Sequence, residues 1–98
     1  NLGGVLMAVG RPREAEEHLR RGLGMYERLI AGDYPPTANC MTNLARCLGL
    51  VGKHAEAMNY AQRAVEMAER ILPEGHPIRQ KCAGTLEAVK GMATKGPG

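Results

Sequence analysis

The sequence has almost no aromatic residues. Its 98 residues include three Tyr and neither Trp nor Phe, so aromatic side chains make up 3% of the chain. A core must therefore be built from Leu, Val, Ile, Met, Ala and Cys. Because there is no aromatic platform for stacking bases and the formal net charge is only +3, we expect no binding of RNA or DNA.

Long apolar stretches are also missing. The longest uninterrupted one, Val5 to Val9, is far shorter than the roughly 20 residues that span a bilayer, so we expect no membrane partner. With 44% hydrophobic and 23% charged residues, the composition is that of a folded soluble domain. The chain starts at Asn1 without a signal peptide pattern, and we expect the intact protein to have further sequence upstream.

The residue patterns of most active sites and metal sites are absent as well. Cys40, Cys47 and Cys82 form no C-x-x-C pair, which predicts neither a disulfide framework nor a zinc site and favours a cytoplasmic, reducing location. Neither G-x-x-x-x-G-K nor H-E-x-x-H occurs, and no nucleophile with a base or pair of carboxylates stands out. We therefore expect no enzyme activity, no metal and no cofactor.

What the chain does contain is an internal repeat with a period of 42 residues. Moving the sequence by 42 places aligns these identical residues without a gap: Asn1-Leu2 with Asn43-Leu44, Gly10 with Gly52, Glu14-Ala15 with Glu56-Ala57, Arg21 with Arg63, Met25 with Met67, Glu27-Arg28 with Glu69-Arg70, Pro35 with Pro77, and Cys40 with Cys82. A fixed period of this length is typical of a solenoid of stacked units.

Each copy has the pattern of two amphipathic helices. Apolar residues recur every three or four positions from Cys40 to Val51 and again from Ala57 to Leu72, which draws one apolar stripe along each helix. Gly and Pro punctuate the ends of these segments. The pattern predicts an all-α fold without strands, with five helices near 1–9, 12–31, 35–51, 54–72 and 77–94.

These helices predict a single domain over residues 1–94. Repeat one covers 1–32 with a truncated first helix, repeat two covers 35–73, a final helix covers 77–94, and 95–98 form a disordered tail. In the third copy, the slot of Gly3 and Ala45 becomes Glu87 and the slot of Leu6 and Leu48 becomes Lys90. Since one face is thus polar, we expect the final helix to cap the stack.

The motifs resemble those of the tetratricopeptide repeat. Leu2-Gly3-x-x-Leu6 with Ala15-x-x-x-Leu19, and Leu44-Ala45-x-x-Leu48 with Ala57-x-x-x-Ala61, match its L-G-x-x-Y and A-x-x-x-F patterns without the usual aromatic residues. The repeat is similar to the kinesin light chain type in its 42-residue period and in three motifs: Asn43-Leu44-Ala45, Gly52-Lys53-x-x-Glu56-Ala57 and Gly75-His76-Pro77. The resemblance implies an α-solenoid of antiparallel helix pairs that acts as a protein interaction scaffold.

The resemblance also implies a groove lined by the first helix of each pair, where a linear peptide of another protein lies. The positions that would face this groove, carried over residue by residue, are Asn1, Asn39, Thr42, Asn43, Arg46, Leu50, Lys81 and Thr85, with Ala88 and Met92 further along the final helix. Asn side chains can both donate to and accept from a peptide backbone. Because Arg46 and Lys81 are basic and the set contains no Asp or Glu, the expected ligand is acidic.

Two functions remain open on the sequence alone. One is a non-catalytic scaffold that binds an acidic peptide segment. The other is a regulatory or oligomerisation module of a larger enzyme, whose helices pack against a domain absent from this chain or against a second copy.

Overall fold

The computed structural model describes residues 10–94 of the chain. These residues form four α-helices and no strand: α1 (Pro12–Leu29), α2 (Pro35–Leu50), α3 (His54–Ile71) and α4 (Pro77–Thr94). None of the four is long and apolar enough to cross a membrane. Four of the five predicted helices are therefore present, with bounds that agree within about two residues. The helix predicted at 1–9 and the tail predicted at 95–98 lie outside the described residues.

Proline and glycine set the helix ends. A proline occupies the first turn of α1, α2 and α4, where its missing N–H has no partner to lose. After α2, Gly52 has a φ of +88°, a left-handed conformation that disfavours a side chain. There the N–H of Lys53 bonds to the carbonyl of Leu48 at 2.8 Å and that of Gly52 to the carbonyl of Gly49 at 3.2 Å. This is a Schellman motif, which satisfies carbonyls that the helix end leaves free.

The second helix, α2, lies in the middle of the stack and contacts each of the other three. Its burial goes well beyond the single apolar stripe that the sequence predicted. Leu44, Cys47 and Leu48 are fully buried, and so are residues on the other sides of the helix, such as Ala38, Ala45 and Thr42. Most of the thin core is therefore gathered around this one helix.

Small residues allow the helices to approach closely. Ala45 of α2 and Ala57 of α3 both have no exposed surface, as does Ala15 of α1. A larger side chain at such a position would separate the helices, at a cost of about 1–3 kcal/mol for overpacking. The close approach of these helices thus depends on alanine at these positions.

On the outer side, α1 and α3 are joined by charged side chains rather than by close packing. No Cα atoms of these two helices approach within 8 Å of each other. Within residues 10–94, four ion pairs join α1 and the turn after it to α3 and the residue before it, and we call them the ladder: Glu16–Lys53 at 2.8 Å, Arg20–Glu56 at 3.1 Å, Glu27–Arg63 at 3.3 Å and Asp33–Arg70 at 2.8 Å. The ladder thus links one pair of helices to the next.

Candidate functional site

A narrow stripe along α2 remains open to solvent. Arg46 and Leu50 are exposed, Leu50 by 58%, and Asn39 is half-buried. These positions are separated by seven and four residues, so they lie on one side of the helix. The stripe therefore contains three of the residues that were predicted to line the groove.

The fourth helix borders this stripe. Lys81 of α4 is half-buried and its Nζ donates a hydrogen bond of 2.8 Å to Oδ1 of Asn39. Further along, a Cβ placed on Gly49 would lie 2.5 Å from Sδ of Met92, which shows how closely the two helices approach there. Lys81 is thereby held beside α2, at the edge of the exposed stripe.

The charges at this edge are of one sign. Burial lowers the pKa of Lys81 below its ordinary value, and the nearby charge of Arg46 lowers it further. No Asp or Glu occurs in α2, and the only acid of α4, Glu87, lies on another side of that helix and pairs with Lys90 at 3.6 Å. Within residues 10–94 neither Arg46 nor Lys81 forms an ion pair with a carboxylate, and an anion bound between these two like charges would relieve their repulsion.

Three of the predicted groove residues, Thr42, Asn43 and Thr85, are buried rather than exposed. Thr42 is fully buried and its Oγ1 donates to Sγ of Cys82 at 3.1 Å. Asn43 is only 9% exposed and Thr85 only 6%. Because α4 packs against α2 on this side, it covers positions that the resemblance had placed in the groove. Asn1 lies outside the described residues.

The remaining predicted positions on α4 differ in their exposure to solvent. Ala88 is exposed, whereas Met92 is half-buried against α2. No sequence signal singled out Gly84, which is exposed three residues after Lys81 and leaves open space beside the helix. The candidate site thus consists of Asn39, Arg46, Leu50 and Lys81.

The three thiols contribute no nucleophile to this site. Cys40, Cys47 and Cys82 are all buried, and burial raises the pKa of Cys40 to about 11. The thiols of Cys40 and Cys47 donate to the carbonyls of Leu19 and Pro12. Within residues 10–94 no group of three His, Cys, Asp or Glu side chains could hold a metal ion. The arrangement of Asn39, Arg46, Leu50 and Lys81 can bind an anionic or polar chain.

Comparison with known proteins agrees with this architecture. A family model described as tetratricopeptide repeat matches residues 1–70. No curated protein matches the chain.

Proposed function

The chain belongs to the tetratricopeptide repeat family, whose members generally mediate protein–protein interactions, and from this premise we propose that it binds a linear acidic peptide along α2 and α4. Such repeats are typically non-catalytic interaction modules, and we propose that role here. The peptide would lie across Asn39, Arg46, Leu50 and Lys81. It would come from another protein, and no nucleic acid or membrane takes part.

The observation that carries the proposal is the pair of cations, Arg46 and Lys81, next to an exposed stripe without acids. Charge-assisted hydrogen bonds from such groups to a carboxylate are stronger than neutral ones, with a net value of about 1.5–3 kcal/mol. Asn39 holds the Nζ of Lys81 at the edge of the stripe, which reduces the entropy lost when a ligand binds. Leu50 adds an exposed apolar contact beside the charges.

We further propose that the repeat is of the kinesin light chain type. The support for this subtype is the 42-residue register, which places Lys81 and its hydrogen-bond partner Asn39 at equivalent positions of successive repeats. The three free thiols suit a reducing, cytoplasmic compartment.

We also propose that α4 caps the stack. The side chain of Glu87 is 75% exposed and that of Lys90 is 49% exposed, although their equivalents Ala45 and Leu48 are fully buried. On the side of α4 that faces the stack, Cys82 and Val89 are buried. A helix with one apolar and one charged face would solvate the end of a repeat array.

The test is a binding titration of the whole chain with a fluorescent peptide rich in Asp and Glu, compared with the same peptide carrying Asn and Gln. We expect Arg46→Glu and Lys81→Glu each to weaken binding of the acidic peptide by about tenfold or more, since one charge-assisted contact is lost and a repulsion is added. Binding of the neutral peptide should be weak and unchanged by either substitution.

The matched control is Arg13→Glu, which makes the same change of charge at an exposed position of α1. If Arg13→Glu weakens binding as much as the two groove variants, the attraction is only that of net charge. If neither groove variant changes the affinity, the proposed site is wrong.

A further inference from the structure

Three of the four lysines lie within residues 10–94, and their amines have different surroundings. Lys53 and Lys90 each pair with a carboxylate, at 2.8 and 3.6 Å. Lys81 forms no ion pair with a carboxylate in the described part of the chain, and its Nζ donates to the amide oxygen Oδ1 of Asn39 at 2.8 Å. Of the described lysines, Lys81 is therefore the one whose amine meets a neutral acceptor instead of an acid.

The surroundings of Lys81 favour its uncharged form. Burial lowers the pKa of Lys81, and the nearby positive charge of Arg46 lowers it further. Only the uncharged amine has a lone pair that can attack a carbonyl carbon, so a lowered pKa raises the fraction of Lys81 that can react at neutral pH. By contrast, the ammonium groups of Lys53 and Lys90 must leave a carboxylate before their nitrogens can attack.

The product of such an attack also fits this position. An acylated lysine keeps one N–H, which can still donate to Oδ1 of Asn39, and it carries no charge to repel Arg46. Gly84 lies three residues after Lys81 on the same side of α4, and a Cβ on it would have nothing within 4 Å. This side of α4 therefore has room for an acyl group, and acylation would remove the repulsion between two cations.

We propose that Nζ of Lys81 is a modification site for small acyl thioesters, and that its acylation turns off binding of an acidic peptide; the second half rests on the proposed binding of that peptide. In the reaction, the lone pair of the neutral amine forms a C–N bond to the thioester carbonyl carbon. The C–S bond breaks, and the departing thiolate takes up the proton that the nitrogen loses. One cation beside the exposed stripe of α2 is thereby removed, while the other, Arg46, remains.

The experiment treats the whole chain with the acetyl thioester of N-acetylcysteamine and follows acetylation of each lysine by peptide mass mapping. We expect Lys81 to react at least about threefold faster than Lys53 and Lys90, because its pKa is lowered. Exposure alone predicts the opposite order, since the side chains of Lys53 and Lys90 are 48% and 49% exposed whereas Lys81 is half-buried.

The variant Arg46→Gln tests the cause of this reactivity. Removing the neighbouring charge should slow acetylation of Lys81 by about twofold or more, while the rates of Lys53 and Lys90 stay unchanged. Arg13→Gln, which removes a positive charge from an exposed position of α1, is the matched control. It should leave Lys81 as reactive as in the unchanged chain.

A titration with the acidic peptide measures the consequence for binding. Acetylation should weaken binding by about tenfold, since a charge-assisted contact is lost. Lys81→Arg keeps the positive charge, and its guanidinium stays protonated and does not attack the thioester. The same treatment should therefore leave the affinity of Lys81→Arg unchanged.

Two results would overturn the proposal. One is acetylation of Lys81 no faster than that of Lys53 and Lys90 in a chain that binds the peptide, which would leave the proposed function standing without this modification. The other is fast acetylation of Lys81 with no change in affinity. If the untreated chain does not bind the peptide, the proposed function fails and the control of binding fails with it, whereas the order of the three rates still decides whether Lys81 is the modification site.

Discussion

At the scale of single residues, two helical glycines differ in what a methyl group would meet. A Cβ on Gly49 would lie 2.5 Å from Sδ of Met92, whereas a Cβ on Gly84 would have nothing within 4 Å. Neither residue has a positive φ, so both positions accept an L side chain as far as the backbone is concerned. Gly49 marks a close approach of α2 and α4, and Gly84 is simply a weak helix former.

We predict that Gly84→Ala raises the free energy of unfolding by about 0.5–1 kcal/mol, the usual difference between Gly and Ala inside a helix. Gly49→Ala should show no such gain, because the end of the Met92 side chain must move aside. Urea unfolding of both variants, measured against the unchanged chain, provides the check. An equal gain for both substitutions would mean that α2 and α4 are not in close contact at Gly49.

At the scale of helices, α2 and α4 are held together by different forces from α1 and α3. α2 and α4 are in direct contact, while α1 and α3 are connected by the ladder. In the ladder, Glu16 accepts from Lys53 at 2.8 Å and its side chain is only 13% exposed. The hydrogen bond from Lys53 lowers the pKa of Glu16, and that from Arg20 acts in the same direction.

We predict that a double-mutant cycle of Glu16→Gln and Lys53→Met gives a coupling of about 0.5–1 kcal/mol at pH 7. Because the pKa of Glu16 is lower in the folded chain than its ordinary value of 4.5, this stabilisation is complete above that value and is lost as the pH falls through the folded pKa. Urea unfolding between pH 6 and pH 3 measures the loss.

The control for this cycle is Glu17 with Arg21, an exposed pair within α1 that does not reach α3. Its coupling should be about 0.3–0.5 kcal/mol, as for other pairs one turn apart. A Glu16–Lys53 coupling no larger than this would contradict the role given to the ladder.

Helix bounds could be predicted because they are local. Pro12, Pro35 and Pro77 start three of the helices and Gly52 ends one, and each acts through its own backbone. The shared side of Asn39, Arg46 and Leu50 could also be predicted, since helical spacing alone determines it. These features need no knowledge of neighbouring helices.

The burial of Thr42, Asn43 and Thr85 could not be predicted from spacing, because it depends on how α4 lies against α2. One signal was present: α2 contains a single charged residue, Arg46, which is typical of a helix buried on most sides. The ladder was missed for a related reason. Its partners are 36 or 37 residues apart, an offset set by the placement of α1 beside α3 rather than by the repeat period.

At the scale of the whole molecule, the three thiols report on the integrity of the fold. Cys40, Cys47 and Cys82 lie in the buried cluster around α2, so a reagent reaches them only when helices separate. Burial also raises the pKa of each thiol, which lowers the fraction of reactive thiolate. Limited access and a raised pKa both slow the reaction of these thiols in the folded chain.

We predict that all three cysteines react at least about 100-fold more slowly in the native chain than in urea, and that they become reactive together across the unfolding transition. Labelling with a thiol reagent at increasing urea concentration measures this. Leu50→Cys, at an exposed position of α2, should react at once in native buffer. Fast native reaction of one natural cysteine would show that its helix opens separately.

The difference between the packed contact of α2 with α4 and the ion-paired gap between α1 and α3 has a mechanical consequence. Packed side chains keep the distance between α2 and α4 fixed, whereas long charged side chains across the gap between α1 and α3 can lengthen or shorten at little cost. We therefore expect the contact between α2 and α4 to resist deformation more than the ion-paired gap between α1 and α3 does. Because salt screens the ion pairs, the distance between α1 and α3 would vary with ionic strength. A peptide bound along α2 and α4 would meanwhile keep its contacts with these two helices.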